Sequence, residues 1–227
     1  MKILEFDELP STNNYAKSHI TEGDMIIIAR SQTLGRGTKG RAFHSAEGGL
    51  YLSKLLHYNA FPASRVFEIM LNTSVAVCRT LEEFRVSPTI KWPNDIYVNG
   101  RKICGILIEN TFSGLNIATS IVGIGLNINN TLPEELKNIA VTMSEVGQKQ
   151  FDIAEVKNRL IYHLGQSYSV AEYKRYIFFF NQKILLSEQD GLHEVTALDV
   201  DEYGRLIVEE KGSFRTVTAG EVSVLFS

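Results

Sequence analysis

Apolar positions along the chain follow two different rhythms. Asp24–Arg30 (DMIIIAR) is a short β-branched run that reads as a buried strand. Gly49–Leu56 (GLYLSKLL) reads as a second strand, with Tyr51, Ser53 and Leu55 on one face and Leu50, Leu52 and Lys54 on the other. The period then lengthens. Val66, Met70, Val77, Leu81 and Phe84 recur at spacings of three, four and seven, which predicts a helix over Pro62–Phe84. Next come TIKW, a Pro-Asn-Asp turn and IYV. Asn99-Gly100, a strong hairpin signal, leads into KICGILIEN, and Ser113-Gly114 turns into LNIATSIVGIGLNIN. Strands joined by turns this tight are antiparallel neighbours. Asp152–Gly165 and Val170–Asn181 have helical spacing, with Asp152 as an N-cap.

Beyond about Ile184 the texture changes to short strands and turns: HEVTALDV, RLIVEE, FRTVT, EVSVLF. The pattern therefore predicts an α+β domain over residues 1–184 and a small all-β unit over 185–227. A chain of 227 residues is long enough to bury a core without disulfide staples.

Composition narrows the function. The net charge of −3 argues against a protein whose main task is to coat nucleic acid. Basic character is local instead: Met25–Ala46 holds Arg30, Arg36, Lys39 and Arg41 and no acid. The two cysteines, Cys78 and Cys104, sit in apolar runs and form no framework, which suits buried thiols in a reducing compartment. No stretch reaches the length of a membrane span, and Glu5 and Asp7 interrupt the N-terminus where a signal peptide needs an apolar run. A soluble, cytoplasmic protein is expected, with no membrane partner.

The basic segment contains GRGTKGR, three glycines and three cations within Gly35–Arg41. Its G-x-G-x-x-G spacing imitates a dinucleotide fingerprint, but the loop leads into RAFHSAEGGLYLS, which is not helical. A P-loop needs Lys-Ser/Thr after the last glycine, whereas Arg41-Ala42 follows Gly40. The bland alternative is a solvated basic loop. The physical reading is an anion cradle: glycines let backbone N–H groups approach oxygens, while Arg36, Lys39 and Arg41 supply charge. A triphosphate suits it better than a single phosphate.

A second constellation, KWPNDIYVNGRKICGILIE over Lys91–Glu109, places Lys102 seven residues after Asp95. Together with GRGTKGR preceded by Gln32, STNNYAK (Ser11–Lys17) and VGIGLNIN (Val122–Asn129), it resembles the biotin protein ligases. Four motifs in order span residues 6 to 130, and the β-rich tail fits that family's small C-terminal SH3-like barrel. The resemblance implies a mixed, largely antiparallel sheet with helices, of the class II aminoacyl-tRNA synthetase and biotin ligase type. It also implies a two-step reaction. Biotin's carboxylate attacks the α-phosphate of ATP, giving biotinyl-5′-AMP and pyrophosphate. A lysine of a biotin carboxyl carrier protein domain then displaces AMP.

Carried over residue by residue, the resemblance makes Lys102, Asp95 and Arg36 the catalytic candidates. Lys102 would bridge the biotin carboxylate and the α-phosphate; the alternative is an exposed hairpin lysine. Asp95 would be a base for the incoming lysine or a metal-linked carboxylate, and it also suits a turn. Ser11, Thr12, Asn13, Gln32, Gly35 and Gly105, with Arg36 and Lys102, fit biotin. Arg36, Gly37, Lys39, Arg41, Phe43, Asn94 and Asn127 fit ATP or the adenylate, with Phe43 equally readable as a core aromatic. Gly123 and Gly125 let backbone approach the ligand. Mg²⁺ is expected with the ATP phosphates, without a dedicated metal cage of protein ligands.

Two departures stand out. Many members carry arginine where this chain has Thr38, which predicts faster escape of biotinyl-AMP. The tail keeps Gly220 and Glu221 but has Leu225 where some members place a basic residue, which puts a C-terminal contribution to ATP binding in doubt. STNN begins at residue 11, so a DNA-binding domain and repression are not expected. A lipoate or octanoyl ligase of the same fold, or a non-catalytic biotin sensor, are the rival readings. Exposed sheet edges suggest a homodimer.

Overall fold

The computed structural model describes residues 1–188, 191–218 and 223–225, with the side chains of Lys39 and of 223–225 left aside. The first part of the chain forms β1 (Lys2–Leu9), α1 (Thr12–Ser18), β2 (Met25–Gln32), β3 (Leu50–Pro62) and α2 (Phe67–Glu83). Then follow β4 (Thr89–Lys91), β5 (Asp95–Val98), β6 (Arg101–Ser113) and β7 (Asn116–Leu126). These strands make one sheet in the order β1-β2-β3-β7-β6-β5-β4. Only β1–β2 is parallel within it; every other pair is antiparallel, so the sheet is mixed.

Strand alternation sorts the side chains as the sequence predicts. Leu50 and Leu52 join Ile26, Ile28, Val122 and Ile124 in the main core under α2 and α4 (Ile153–His163). Leu55 faces the other way and packs with Met25, Ile27, Ile121 and Ala16 of α1. The β5–β6 turn has Asn99 at φ 50° and Gly100 at φ 75°, the two left-handed positions that a tight hairpin requires. Asp152 caps α4, accepting from the Ala154 and Glu155 amides.

Two helix expectations need correction. β3 runs on to Pro62, paired with Asn116, and a 3₁₀ turn at Ala63–Arg65 intervenes before α2. The cross-strand ladder outcompetes the helical period there. The helix expected over Val170–Asn181 is α5 (Val170–Arg175), which ends early. Ile177 instead bridges Ile90 of β4, the Ile90 amide bonds the Tyr176 carbonyl at 2.8 Å, and Phe179 is fully buried. β1 and α1 are elements that periodicity did not announce. A short helix, α3 (Met143–Gly147), lies between β7 and α4.

The C-terminal strands are β8 (Gln182–Glu188), β9 (Gly191–Val200), β10 (Leu206–Glu210), β11 (Ser213–Val217) and β12 (Ser223–Leu225). They form a five-stranded antiparallel sheet, order β11-β10-β9-β8-β12. Among the described residues the end strands do not pair to close the expected barrel. β8 runs across the division expected after residue 184. One apolar core is continuous through both sheets. Trp92 Nε1–H donates to the Gly204 carbonyl at 2.9 Å, and the Phe67 ring lies where a Cβ on Gly204 would collide, 2.2 Å away. Gly204 also sits at φ +79°, so glycine is doubly required. Gly220 and Glu221 lie outside the described residues.

Candidate active site

The large sheet carries a cleft on its α1 face, partly open to solvent. Its floor is glycine: Gly105 on β6, and Gly123 and Gly125 on β7. The α1 N-terminus supplies one wall through Ser11, Thr12 and Asn13, with Gln32 at the end of β2 beside them. Arg36, Gly37, Thr38 and Phe43 of the loop after β2 cover it, and Asn94, Asp95 and Lys102 close the far end.

Small residues on the floor are a steric necessity. A Cβ at Gly123 would stand 2.1 Å from Asn13 Oδ1, and one at Gly125 would stand 2.5 Å from the Phe43 ring. At Gly105 a Cβ would press on both the Phe43 ring at 3.1 Å and Lys102 Nζ at 3.2 Å. The half-buried Phe43 ring therefore rests on the bare backbone of β6 and β7, with its edge toward Tyr51 at 6.4 Å.

At the α1 end the polar groups interlock. Gln32 Oε1 accepts from the Thr12 amide at 2.8 Å and lies 3.1 Å from Thr12 Oγ1, while Gln32 Nε2 donates to Ser45 Oγ at 2.9 Å. Ser11 caps α1, its Oγ accepting from the Asn14 amide. Asn13 Nδ2 donates to Glu109 Oε2 at 3.0 Å, and Asn13 Oδ1 lies 2.6 Å from Ser53 Oγ.

The opposite end is charged. Lys102 Nζ pairs with Asp95 Oδ1 at 2.7 Å. β5 and β6 pair in a hairpin, placing Asp95 opposite Gly105 and Tyr97 opposite Lys102, which brings lysine and carboxylate together across a missing side chain. Asn94 Nδ2 donates to the Ile106 carbonyl at 2.8 Å, anchoring the turn before Asp95. Arg36, on the covering loop, is drawn instead toward the α1 end, its Nη1 donating to Asn14 Oδ1 at 3.0 Å and standing 3.8 Å from Glu109 Oε1. Nearby Lys91 has its pKa lowered, first by burial and then by the charges of Lys102 and Arg41, with Asp95 opposing. Burial, helped by Asp95, raises the Tyr97 phenol.

Of the residues singled out in the sequence, Ser11, Thr12, Asn13, Gln32, Arg36, Gly37, Phe43, Asn94, Asp95, Lys102 and Gly105 line this cleft. Gly35 lies behind it, where a Cβ would stand 2.4 Å from the Phe43 carbonyl and 2.5 Å from Ser45 Oγ. Arg41 is turned back on its own loop, donating from Nη2 to Thr38 Oγ1 at 3.1 Å. Asn127 is buried in the turn after β7, its Oδ1 accepting from Asn130 Nδ2 at 3.2 Å. Ser53 and Glu109 were not anticipated. A lone hydroxyl inside LYLSKLL was the signal for Ser53; Glu109 closes the GILIE motif with no spacing rule that assigns it a role.

The cleft thus joins a neutral, hydrogen-bonding end to a cationic end, an arrangement suited to presenting an uncharged ring and an activated anion together. The sequence matches the Biotin/lipoate A/B protein ligase family over residues 5–127 and the Biotin protein ligase C terminal domain over 183–225. It is 28% identical to the bifunctional ligase/repressor BirA of Bacillus subtilis, across 98% of this chain and 74% of that protein. Identity to the biotin–[acetyl-CoA-carboxylase] ligase of Mycobacterium tuberculosis is 26%, across 87% of this chain and 78% of that one. The fold superposes on the biotin protein ligase of Aquifex aeolicus, solved with biotin and ATP, with a TM-score of 0.82 at 27% identity, covering 100% of this chain and 99% of that chain.

Proposed function

The chain belongs to the biotin/lipoate A/B protein ligase family, and from that premise we propose that it is an ATP-dependent biotin protein ligase acting on a carboxyl carrier domain. The observation that carries this reading is the union, in one cleft, of the Thr12–Gln32–Asn13 hydrogen-bonding wall with the Lys102–Asp95 pair under a cationic loop. Biotin has a neutral ureido ring for the first and a carboxylate for the second.

In the first step a biotin carboxylate oxygen bonds to the α-phosphorus of ATP. The bond from that phosphorus to its bridging oxygen breaks, and pyrophosphate leaves. Two anions must meet, so the chief requirement is positive charge held between them. Lys102 meets it: its ammonium has three donors, one committed to Asp95 and two available to a carboxylate and a phosphate. Arg36, on the loop that covers the same cleft, is held by a neutral amide that a phosphate oxygen can replace.

In the second step the carrier lysine's amine attacks the acyl carbon, forming the amide as the mixed-anhydride C–O bond breaks and AMP departs. The amine sheds a proton, and Asp95, a carboxylate lining the cleft, is the base that takes it in this reading. Among the described residues no cluster of three His, Cys, Asp or Glu gathers to hold a metal. Mg²⁺ would arrive with the triphosphate, shielding its charge, with Asp95 as the carboxylate at hand.

Biotin-dependent exchange of labelled pyrophosphate into ATP tests this reading. Exchange that responds to biotin and not to lipoate is the expected result. Exchange with lipoate alone would transfer the assignment to a lipoate ligase, and none with either would leave a binding protein.

A further inference from the structure

Behind the cleft wall runs a chain of polar atoms whose direction is set from one end. Glu109 Oε2 lies 3.0 Å from Asn13 Nδ2, Asn13 Oδ1 lies 2.6 Å from Ser53 Oγ, and Ser53 Oγ lies 2.7 Å from Thr12 Oγ1. Thr12 Oγ1 in turn lies 3.1 Å from Gln32 Oε1. Ser53 is 0% exposed, Thr12 3% and Asn13 4%, so these groups satisfy one another rather than solvent.

A carboxylate only accepts, and an amide has one donor end and one acceptor end. Glu109 therefore holds Asn13 with Nδ2 toward itself and Oδ1 toward Ser53. Gly123 leaves the room for that oxygen, since a Cβ there would stand 2.1 Å away. Each hydroxyl carries a single proton. Ser53 has two acceptors in reach, and Asn13 Oδ1 at 2.6 Å claims its proton. The 2.7 Å contact to Thr12 is then bridged by the Thr12 proton, in preference to the longer 3.1 Å reach to Gln32. Gln32 is oriented independently, accepting from the Thr12 amide at 2.8 Å and donating to Ser45 at 2.9 Å. Thr12 Oγ1 and Gln32 Oε1 are left as adjacent acceptors on the cleft wall.

We propose that Ser53 and Glu109 are positioning residues that set the donor–acceptor polarity of this wall, so that Thr12 and Gln32 select a ligand offering N–H groups there. The proposal rests on the biotin reading, in which those N–H groups belong to the ureido ring. Neither residue needs to touch the ligand. Replacing Glu109 by glutamine frees Asn13 to turn over; replacing Ser53 by alanine cuts the relay while leaving the Glu109 charge, and hence its effect on Arg36, in place.

Pyrophosphate exchange with biotin and with its two cyclic carbamate analogues, in which one or the other ureido N–H is replaced by oxygen, tests this. The wild type should reject the isomer that sets an oxygen lone pair against Thr12 by about 100-fold, because a site built to accept a hydrogen bond is left facing a second acceptor. Ser53→Ala and Glu109→Gln should each raise KM for biotin about tenfold and shrink that discrimination to about tenfold; Ser53→Ala, which leaves the Glu109–Arg36 pair in place, should keep KM for ATP and kcat within about twofold. Should one variant fail to fold, shown by its thermal melt, the other carries the test. Unchanged discrimination in either variant, or a parallel rise in KM for ATP in Ser53→Ala, overturns the proposal while leaving the ligase reading intact. Absence of biotin-dependent exchange in the wild type removes that reading and the proposal with it.

Discussion

At the α1 end of the cleft the polar side chains are already matched: Thr12 to Gln32, Gln32 to Ser45, Asn13 to Glu109 and Ser53. In the covering loop and at the far end the charges are held by partners that an anion can replace. Arg36, with 45% of its side chain exposed, rests on Asn14; Arg41 folds back on Thr38; Lys102 leans on Asp95. The difference follows from the ligands the two ends would take. A neutral ring offers little binding energy to spend on rearranging its site, so its hydrogen-bonding groups have to be preset. A triphosphate brings several charges and can draw loose cations into place.

The largest expected effect breaks the charged end. Lys102→Ala should lower the exchange rate by about 10³-fold or more, since the removed cation serves charge that develops during the reaction. The melt should shift by no more than a few degrees, because the lysine side chain is 29% exposed in a hairpin rather than part of the core. A loss seen only in KM for biotin would move Lys102 to the neutral end and erase the contrast.

Next in size is a break at the preset end. Gly123→Ala places a Cβ 2.1 Å from Asn13 Oδ1, and Asn13 cannot retreat without leaving Ser53 and Glu109. Biotin affinity should fall about 100-fold by calorimetry, as loss of about two hydrogen bonds at roughly 1–1.5 kcal/mol each would produce, with ATP affinity little changed. Equal loss of both ligands would mean that the two ends are not independent.

How far the sequence discloses each end follows from the same contrast. Asp95 and Lys102 lie within one motif and meet through one hairpin, whose Asn99-Gly100 turn is written in the chain. Strands β2, β3, β6 and β7 are legible because each carries a dense apolar, often β-branched run, and Asn99-Gly100 and Ser113-Gly114 mark turns beside β6 and β7. The preset wall is not legible, because its bonds join residues far apart: Ser53 to Asn13 across 40 positions, Asn13 to Glu109 across 96. No local spacing rule links a serine in one strand to a glutamate in another. Helix ends failed for a related reason. Pro62 and Ile177 carry helical neighbours in sequence, yet β7 and β4 claim them in space.

A smaller effect sharpens the charged end. Thr38 lines the cleft, its Oγ1 accepting from Arg41 Nη2. Thr38→Arg adds a bidentate cation over the intermediate and releases Arg41 from that bond. Escape of biotinyl-AMP should slow about fivefold, corresponding to roughly one added charge-assisted hydrogen bond of modest net strength. Labelling of bystander lysines in a mixture of unrelated proteins reports it. Labelling by the variant as high as by the wild type would show that Thr38 is not where the intermediate leaks.

The smallest effect needs no mutation. Arg36 and Arg41 are exposed, so their attraction for a triphosphate acts through solvent and is screened by salt over a Debye length of about 8 Å at physiological ionic strength. Hydrogen bonds among Thr12, Asn13 and Ser53 are buried and short, and salt does not reach them. Raising KCl from about 50 to about 300 mM should therefore increase KM for ATP roughly threefold while KM for biotin moves less than about twofold, its lone carboxylate accounting for the residue. The two constants come from the same exchange assay on the same enzyme, so a change in folding or in total activity shifts both and is recognised. If KM for biotin rises as steeply as that for ATP, the ureido end is contributing little, and the binding energy of both substrates resides in the cations. If neither moves, the loop cations are already fully engaged within the protein, and the charged end is as preset as the neutral one.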